Sequence, residues 1–198
     1  MPTFWLLTWT TYGTWLPGGR RGFVGNVRVA GGAQETHNTF ATPYDGDMDR
    51  LEQWTRNRMT GEPVALTTAD ALAMIDQYQE TARIRKWDFV AASVMFNHTH
   101  ILVGMPSVAD PDTALETLKG WATRAIKKHR PTPPNGTFWT VKGSARKRKD
   151  ERAIRAGVVY VMRKQPNPLA AWCSPAWQWA LDEYDAKQTA VRPGSPTE

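Results

Sequence analysis

Cysteine and long apolar runs are what this chain of 198 residues most conspicuously lacks. Cys173 is its single cysteine, so an internal disulfide is impossible and a disulfide-stabilised scaffold is excluded. No Cys/His cluster has zinc-ligand spacing, and no apolar run approaches the roughly 20 residues that span a bilayer. The N-terminus also lacks a basic stretch followed by an apolar one, the mark of an export signal. We therefore expect a cytoplasmic protein with no membrane partner.

Low-complexity segments and internal repeats are also absent, apart from one proline cluster near residue 131. The chain is 41% hydrophobic and has 10 Trp, 5 Tyr and 6 Phe, enough apolar surface to form a folded core. Its length fits one domain. We expect a single domain over residues 1–184, in which residues 18–66 form an extension after the first strand, and a polar, disordered tail over 185–198.

Positive charge exceeds negative charge by +6, and the pI is near 9.6. A basic balance favours a polyanionic partner without identifying it. The cations concentrate in segments 124–130 and 142–155, although a solvated helix end and a solvated loop would show the same pattern. The candidate contacts to such a polyanion are Lys127, Lys128, Lys142, Arg146, Lys147, Arg148 and Lys149.

The hydrophobic pattern predicts alternating strands and helices. Thr3–Tyr12 is aromatic and β-branched, which indicates a strand, and Thr67–Arg85 begins with N-cap residues and continues at helical spacing. Trp87–Met95 and His98–Met105 then resemble the two strands of a hairpin.

The same pattern continues towards the C-terminus. A helix opens at Pro111 and stops before Pro131, Phe138–Lys142 is a short strand, and Asp150–Lys164 is the last helix. A short helix is also predicted near 47–58. This order predicts an α+β fold, a ferredoxin-like split βαβ domain with an antiparallel sheet and an appended C-terminal helix that carries Tyr160.

His98 and His100 stand two residues apart in a predicted strand, so both imidazoles leave the same face, as two ligands of one metal must. Isolated His-x-His pairs are more often ordinary, partly buried histidines, but these two are half of the four in the chain. Two imidazoles do not define a metal site. Further ligands are needed, and Gln165 and Asn167 follow Tyr160 with suitable side-chain oxygens.

Tyr160, in the segment VVYVM, is a second candidate for chemistry. Tyrosine forms covalent intermediates in some enzymes, but its hydroxyl is a weak nucleophile that needs a nearby metal or base. By spacing alone, a tyrosine in such a segment is more often part of a core or an interface.

Three segments together resemble the HUH nucleases, in particular the single-tyrosine, IS200-like transposases and their REP-associated relatives. MFNHTHILV (95–103) resembles the family's histidine strand, although Thr99 stands where a hydrophobic residue is usual. TWTTYGTWLPG (8–18) is similar to the opening strand and turn, and FWTVKGSARK with the later VVYVM and NP resembles the last strand and the nucleophile helix.

The resemblance implies a metal-dependent endonuclease and strand transferase that acts on single-stranded, hairpin-bearing DNA. His98 and His100 would hold Mg²⁺ or Mn²⁺, and Tyr160 would form a 5′-phosphotyrosine intermediate. The family's amide ligand lies four positions after the tyrosine, where this chain has Lys164, so Gln165 or Asn167 would replace it. A homodimer is also implied.

Two other functions remain open from the sequence. A catalytically inactive nucleic-acid-binding domain of the same fold would explain Lys164. An unrelated metal hydrolase could instead combine His98 and His100 with a carboxylate such as Asp88, which would leave Tyr160 a structural role.

Overall fold

The computed structural model describes residues 1–19, 26–28, 34–36 and 48–191, and it gives only the backbone for 26–28 and 34–36. Much of the predicted extension and the end of the predicted tail therefore lie outside the described residues. Among the described helices, none combines the length and the apolar character that a membrane span requires.

Thirteen elements follow one another along the described chain. They are β1 (Pro2–Thr10), β2 (Asn26–Arg28), β3 (Gln34–Thr36), α1 (Asp49–Arg56), α2 (Thr68–Arg85), β4 (Asp88–Val94), β5 (His98–Pro106), α3 (Pro111–Ile126), β6 (Ser144–Arg148), α4 (Glu151–Arg163), β7 (Ala170–Cys173), a 3₁₀ turn (Pro175–Trp177) and α5 (Gln178–Val191). The short helix predicted in the extension is α1.

Five strands form one antiparallel sheet in the order β6-β1-β5-β4-β7, and β2 pairs with β3 in a separate hairpin. The succession β1, α2, β4, β5, α3, β6, with β1 and β5 side by side in the centre, is the split βαβ arrangement of the ferredoxin-like fold. The predicted fold class is confirmed.

Helices cover both faces of the sheet and create two cores. The major core lies between the sheet and α2 and α3, and includes Leu7, Trp9, Met74 and Leu118. The minor core lies between the sheet and α4 and α5, and includes residues such as Leu102 and Val158. Because side chains alternate along a strand, each central strand contributes residues to both cores.

The strand predicted at Phe138–Lys142 is wrong. In the structure this segment forms only one isolated bridge, Thr11 with Trp139, and the strand is β6 instead. The side chains of Phe138 and Trp139 fill the major core. This burial explains the apolar pattern that resembled a strand in the sequence. A positive φ of 65° at Lys142 separates this segment from β6, where the basic run pairs with β1.

The C-terminal region is more ordered than predicted. α4 is followed by β7, which adds an edge strand beside β4, and then by α5. Residues 185–191 are helical, so the predicted disordered tail is wrong for that stretch, and 192–198 lie outside the described residues. Arg163 of α4 binds Asp185 of α5 at 2.7 Å, which explains part of the order.

Candidate active site

His98 and His100 lie on the face of β5 that α4 covers. Their rings are 4.9 Å apart between centroids and nearly perpendicular. Thr99, between them, is fully buried and lies opposite Trp9 of the major core. The strand therefore separates the two imidazoles from the residue that the family resemblance singled out as unusual.

Each imidazole is held through its Nδ1 atom. Nδ1 of His98 donates a 2.6 Å hydrogen bond to Oδ1 of Asn97, and Nδ1 of His100 shares a 2.7 Å hydrogen bond with Oγ1 of Thr8. Thr8 faces His100 directly across the β1–β5 ladder. An oxygen partner on one ring nitrogen fixes the ring's orientation and aims the other nitrogen, as in protein metal sites.

The environment keeps His100 neutral. Burial, together with the neighbouring His98, lowers the pKa of His100 to about 3. A neutral imidazole is the form that binds a metal ion.

Tyr160 stands beside this pair, although it comes from α4, sixty residues further along the chain. Its ring is 5.1 Å from that of His100, at 74°. The inner face of α4 is buried through Ile154, Gly157, Val158 and Val161, which fixes the helix against the sheet. Tyr160 lies at the edge of that face and remains 40% exposed, so its hydroxyl is within reach of a large substrate.

Gln165 interacts with the backbone of Tyr160 and with the side chain of His100. Its amide nitrogen donates a 3.1 Å hydrogen bond to the backbone carbonyl oxygen of Tyr160. Its side chain also acts to raise the pKa of His100, as an acceptor oxygen does. The Gln165 side chain therefore lies near the imidazole of His100.

The other two amide-ligand positions are arranged differently. Lys164 caps α4, and its ammonium lies 5.0 Å from the ring centre of Tyr184 in α5. Asn167 follows in a left-handed conformation, with φ of 47°. Of the three residues considered from sequence, Gln165 is the one with a described contact to a histidine.

The donor set suits an ion that accepts nitrogen, amide oxygen and water. The described part of the chain contains no group of three or more His, Cys, Asp and Glu side chains arranged for a metal. Zinc, which prefers three or four such ligands, fits this set poorly, whereas Mg²⁺ and Mn²⁺ keep several waters. His98, His100 and Gln165 are therefore the residues that would hold a divalent ion.

The pairing of β6 with β1 shows which of the predicted DNA contacts lie on the same face of the sheet as the histidines. Arg146 and Arg148 pair with Leu6 and Phe4 of the minor core, so they share the face of the histidines. Lys147 pairs with Trp5, which packs on the major core, and so leaves the other face.

The remaining predicted contacts lie further from the histidines along the chain. Lys127 and Lys128 follow the end of α3 in the layer that covers the opposite face of the sheet. Lys142 is exposed in the turn before β6, and Lys149 is exposed after it.

Sequence analysis did not identify Thr8 as part of the site. A threonine in a β-branched strand needs no functional explanation, so the sequence offered little reason to single out Thr8. Its hydrogen-bond partner, His100, also depends on strand register, which the sequence does not show. Asn97 was noted only through the family resemblance.

The pairing also argues against the hydrolase alternative. Ser93 lies opposite His100, whereas Asp88 lies opposite Gly104. Asp88 is thus five positions away along the strand, roughly 16 Å at about 3.3 Å per residue. A metal held by both histidines is out of its reach.

Comparison with known protein families gives a match over residues 62–152, to the model described as "Transposase IS200 like". The matched segment contains β4, β5, α3 and β6, and therefore His98, His100, Arg146 and Arg148. Thr8, Tyr160 and Gln165 lie outside it, so their place in the site rests on the geometry.

The structure of this chain is also similar to solved structures. One is a REP-associated tyrosine transposase bound to a REP hairpin, with 12% identity over 80% of this chain and 64% of that chain, and a TM-score of 0.41. This chain thus spans less than two thirds of that protein. Another is a putative transposase from Deinococcus radiodurans R1, with 16% identity over 83% of this chain and 92% of that chain, and a TM-score of 0.38. No curated protein matches the sequence.

Proposed function

We propose that this protein is a metal-dependent transposase that nicks and rejoins single-stranded, hairpin-bearing DNA through a covalent 5′-phosphotyrosine intermediate on Tyr160. The observation that carries the proposal is the convergence of Tyr160 and Gln165, from the end of α4, on His100 of β5. A tyrosine with only a structural role would not require its ring to lie 5.1 Å from a neutral, oriented His100.

The proposed reaction needs no nucleotide cofactor. The Tyr160 hydroxyl loses its proton as its oxygen forms a bond to phosphorus, the bond from phosphorus to the 3′ oxygen breaks, and the leaving 3′ oxygen takes up a proton, so no net proton is gained or lost. The phosphoester is conserved, so a free 3′ hydroxyl reverses the step and joins DNA at the same site. A divalent ion, Mg²⁺ or Mn²⁺, would polarise the scissile phosphate when held at His98, His100 and Gln165.

The protein's own groups orient the reacting atoms. Thr8 and Asn97 hold the imidazoles in place, and the packed inner face of α4 holds Tyr160 beside them. Positioning of this kind supplies much of the rate in phosphoryl transfer, where a protein has little covalent chemistry to perform. The 40% exposure of Tyr160 gives a DNA strand access from solvent.

The substrate class rests on charge and on the family. Arg146 and Arg148 give the histidine face two cations that can neutralise phosphates. A homodimer is also proposed, by family resemblance, and light scattering of the purified protein would test it.

The deciding experiment is a covalent-adduct assay. Purified protein would be incubated with labelled single-stranded hairpin DNA from its own genomic flanks and with Mg²⁺ or Mn²⁺, then resolved on a denaturing gel. We expect a metal-dependent protein–DNA band for the wild type and none for Tyr160→Phe or His100→Ala. Tyr184→Phe, a partly exposed tyrosine on the neighbouring α5, is the matched control and should keep the band.

Two results would contradict the proposal. Tight DNA binding without an adduct under any metal would support a nucleic-acid-binding domain without catalysis. Adduct formation that survives in Tyr160→Phe would show that another residue is the nucleophile.

A further inference from the structure

Arg148 is the last residue of β6, and it lies on the same face of the sheet as the two histidines. It pairs with Phe4 of β1, whose side chain packs on the minor core beneath α4. The Arg148 side chain is half-buried, in contrast to the exposed Arg146 and Lys147 before it. The cation is therefore held by the fold, whereas its neighbours extend into solvent.

Arg148 lies against α4 next to Gly157. A Cβ atom added to Gly157 would lie 3.7 Å from Nε of Arg148, an ordinary contact distance, and 3.1 Å from a methyl group of Leu102. Gly157 precedes Tyr160 by three residues, or about one helical turn, so the two share one side of α4. Arg148 therefore contacts the helix one turn before the tyrosine.

Nε of Arg148 is buried and has no hydrogen-bond partner in the described part of the chain. Buried polar groups are normally paired, and an unpaired one requires an explanation. Arginine keeps its charge even in such an environment. The guanidinium as a whole is only half-buried, so an anion would reach it through its exposed part, while the buried Nε leaves its charge incompletely satisfied by the described residues.

Electrostatics agree with this position of Arg148. Burial, followed by the positive charge of Arg146, lowers the pKa of Arg148, while interaction with Tyr160 acts to raise it. The position itself follows from strand register, which puts Arg148 on the histidine face of the sheet, and from Gly157 of the helix that carries Tyr160.

We propose that Arg148 is a catalytic residue whose guanidinium binds the non-bridging oxygens of the phosphate that Tyr160 attacks. This proposal rests on the proposed function. It adds a second positively charged group, beside the divalent ion, that would stabilise the charge on the phosphate. In a phosphodiester the two non-bridging oxygens carry the charge as the tyrosine attacks, and a preorganised arginine stabilises that charge and can contact both oxygens at once. Arg148 forms no covalent bond and stays protonated throughout. The bonds that form and break are those described above for the attack by Tyr160.

The first test separates catalysis from DNA affinity. Arg148→Ala and Arg148→Lys would be compared with wild type for the single-turnover rate of adduct formation and for DNA binding without metal. We expect about a 100-fold lower rate for Arg148→Ala, the size of effect seen when one such donor is removed, and a loss of DNA affinity no larger than that of Arg146→Ala, which removes another cation from the same face. Arg148→Lys should recover only part of the rate, because lysine keeps the charge but not the paired donors.

Arg85→Ala is the matched control, since Arg85 is an exposed arginine at the end of α2 on the opposite layer. Its rate should equal that of wild type. Thermal unfolding would verify that each variant is folded, and Arg148→Met, which keeps an apolar stem under α4, replaces Arg148→Ala if the latter unfolds.

The second test distinguishes contact with the phosphate from a structural role. A DNA substrate with a neutral methylphosphonate at the scissile position lacks the charge that Arg148 would stabilise. We expect the wild-type to Arg148→Ala rate ratio to fall from about 100 towards one on this substrate.

The outcomes of the two tests are separable. An equal rate ratio on both substrates, or a wild-type rate in Arg148→Ala, would overturn the role of Arg148 while the Tyr160 adduct still stands. Failure of wild-type protein to form any adduct would overturn the proposed function and this role together.

Discussion

At the scale of single residues, the site depends on small side chains that orient larger ones. Thr8 is the partner of His100 through one 2.7 Å hydrogen bond. Thr8→Val keeps the shape and removes the hydroxyl, so the ring loses its orienting contact. We expect roughly a 10- to 100-fold loss of metal affinity, the usual cost of removing such a partner, measured by titration calorimetry with Mn²⁺.

Thr10→Val provides the control for this change. Thr10 lies on the same strand face, opposite His98, and its hydroxyl shares a 2.9 Å hydrogen bond with Oγ1 of Thr140. Unchanged Mn²⁺ affinity in Thr8→Val, or an equal loss in both variants, would show that the hydrogen bond does not orient the metal ligand.

A second prediction at the residue scale concerns the amide ligand. Gln165→Ala should weaken Mn²⁺ binding and slow adduct formation, because its oxygen lies beside His100. Lys164→Ala and Asn167→Gly should retain Mn²⁺ affinity, and glycine tolerates the positive φ of 47° at Asn167. The opposite ranking would assign the ligand to Asn167.

At the scale of secondary-structure elements, a buried carboxylate joins the start of α2 to the end of α3. Asp70 completes a capping box with Thr67, binds Nη1 of Arg130 at 2.6 Å and Nε2 of His129 at 2.9 Å, and is fully buried. The two helices that cover the major core are thereby fixed to each other.

Removal of this charge should destabilise the fold. Asp70→Asn leaves Arg130 with a neutral partner and removes the carboxylate from the cap. We expect the free energy of unfolding in urea to fall by about 2–4 kcal/mol. Asp110→Asn, at the exposed N-cap of α3, should cost only a few tenths, since asparagine caps as well as aspartate. Equal losses would contradict this role for Asp70.

The same carboxylate predicts a pH dependence of stability. Burial alone would raise the pKa of Asp70, but hydrogen bonds from the Thr67 backbone, His129, Arg130 and the Thr67 side chain outweigh it and lower the pKa below its ordinary value. A lowered folded-state pKa contributes stability that is present above the unfolded pKa, near 3.9, and is lost as the pH falls through the folded value. The stability difference between wild type and Asp70→Asn should therefore shrink below about pH 4; a constant difference from pH 7 to 2.5 would contradict the assignment.

At the scale of the whole molecule, the sheet separates two layers with different roles. One face carries the histidines, Tyr160 and two arginines, and the other carries α2, α3 and the basic end of α3. Only the first face should contact the DNA near the scissile phosphate.

Salt-dependent binding tests this division. Arg146→Ala should weaken hairpin-DNA binding and reduce the slope of log K against log salt by about one, as expected for one lost phosphate contact. Lys128→Ala removes one charge from the opposite layer, so its slope should match that of wild type. Similar slope changes in both variants would show that DNA contacts both layers.

Local pattern in the sequence determined the elements of the ferredoxin-like unit. The β-branched first strand, the capped α2 and the hairpin around Asn97 were all predicted near their observed bounds, because alternation, helical spacing and capping chemistry are local properties. The pair of histidines on one face followed from the same alternation. The predicted strand at 138–142 failed because buried aromatic residues in an irregular segment resemble a strand locally, whereas the basic β6 owes its conformation to β1.

Only the tertiary structure decided which residues meet at the site. Strand register placed Thr8 opposite His100, and it placed Arg148 on the histidine face of the sheet and Lys147 on the other face. A register cannot be deduced from either strand alone. The docking of α4 on the minor core brought Tyr160 and Gln165 to the histidines across sixty residues. The sequence by itself determined which side chains are chemically competent, since that is a property of the residue. Their convergence depends on long-range packing, which no local pattern encodes.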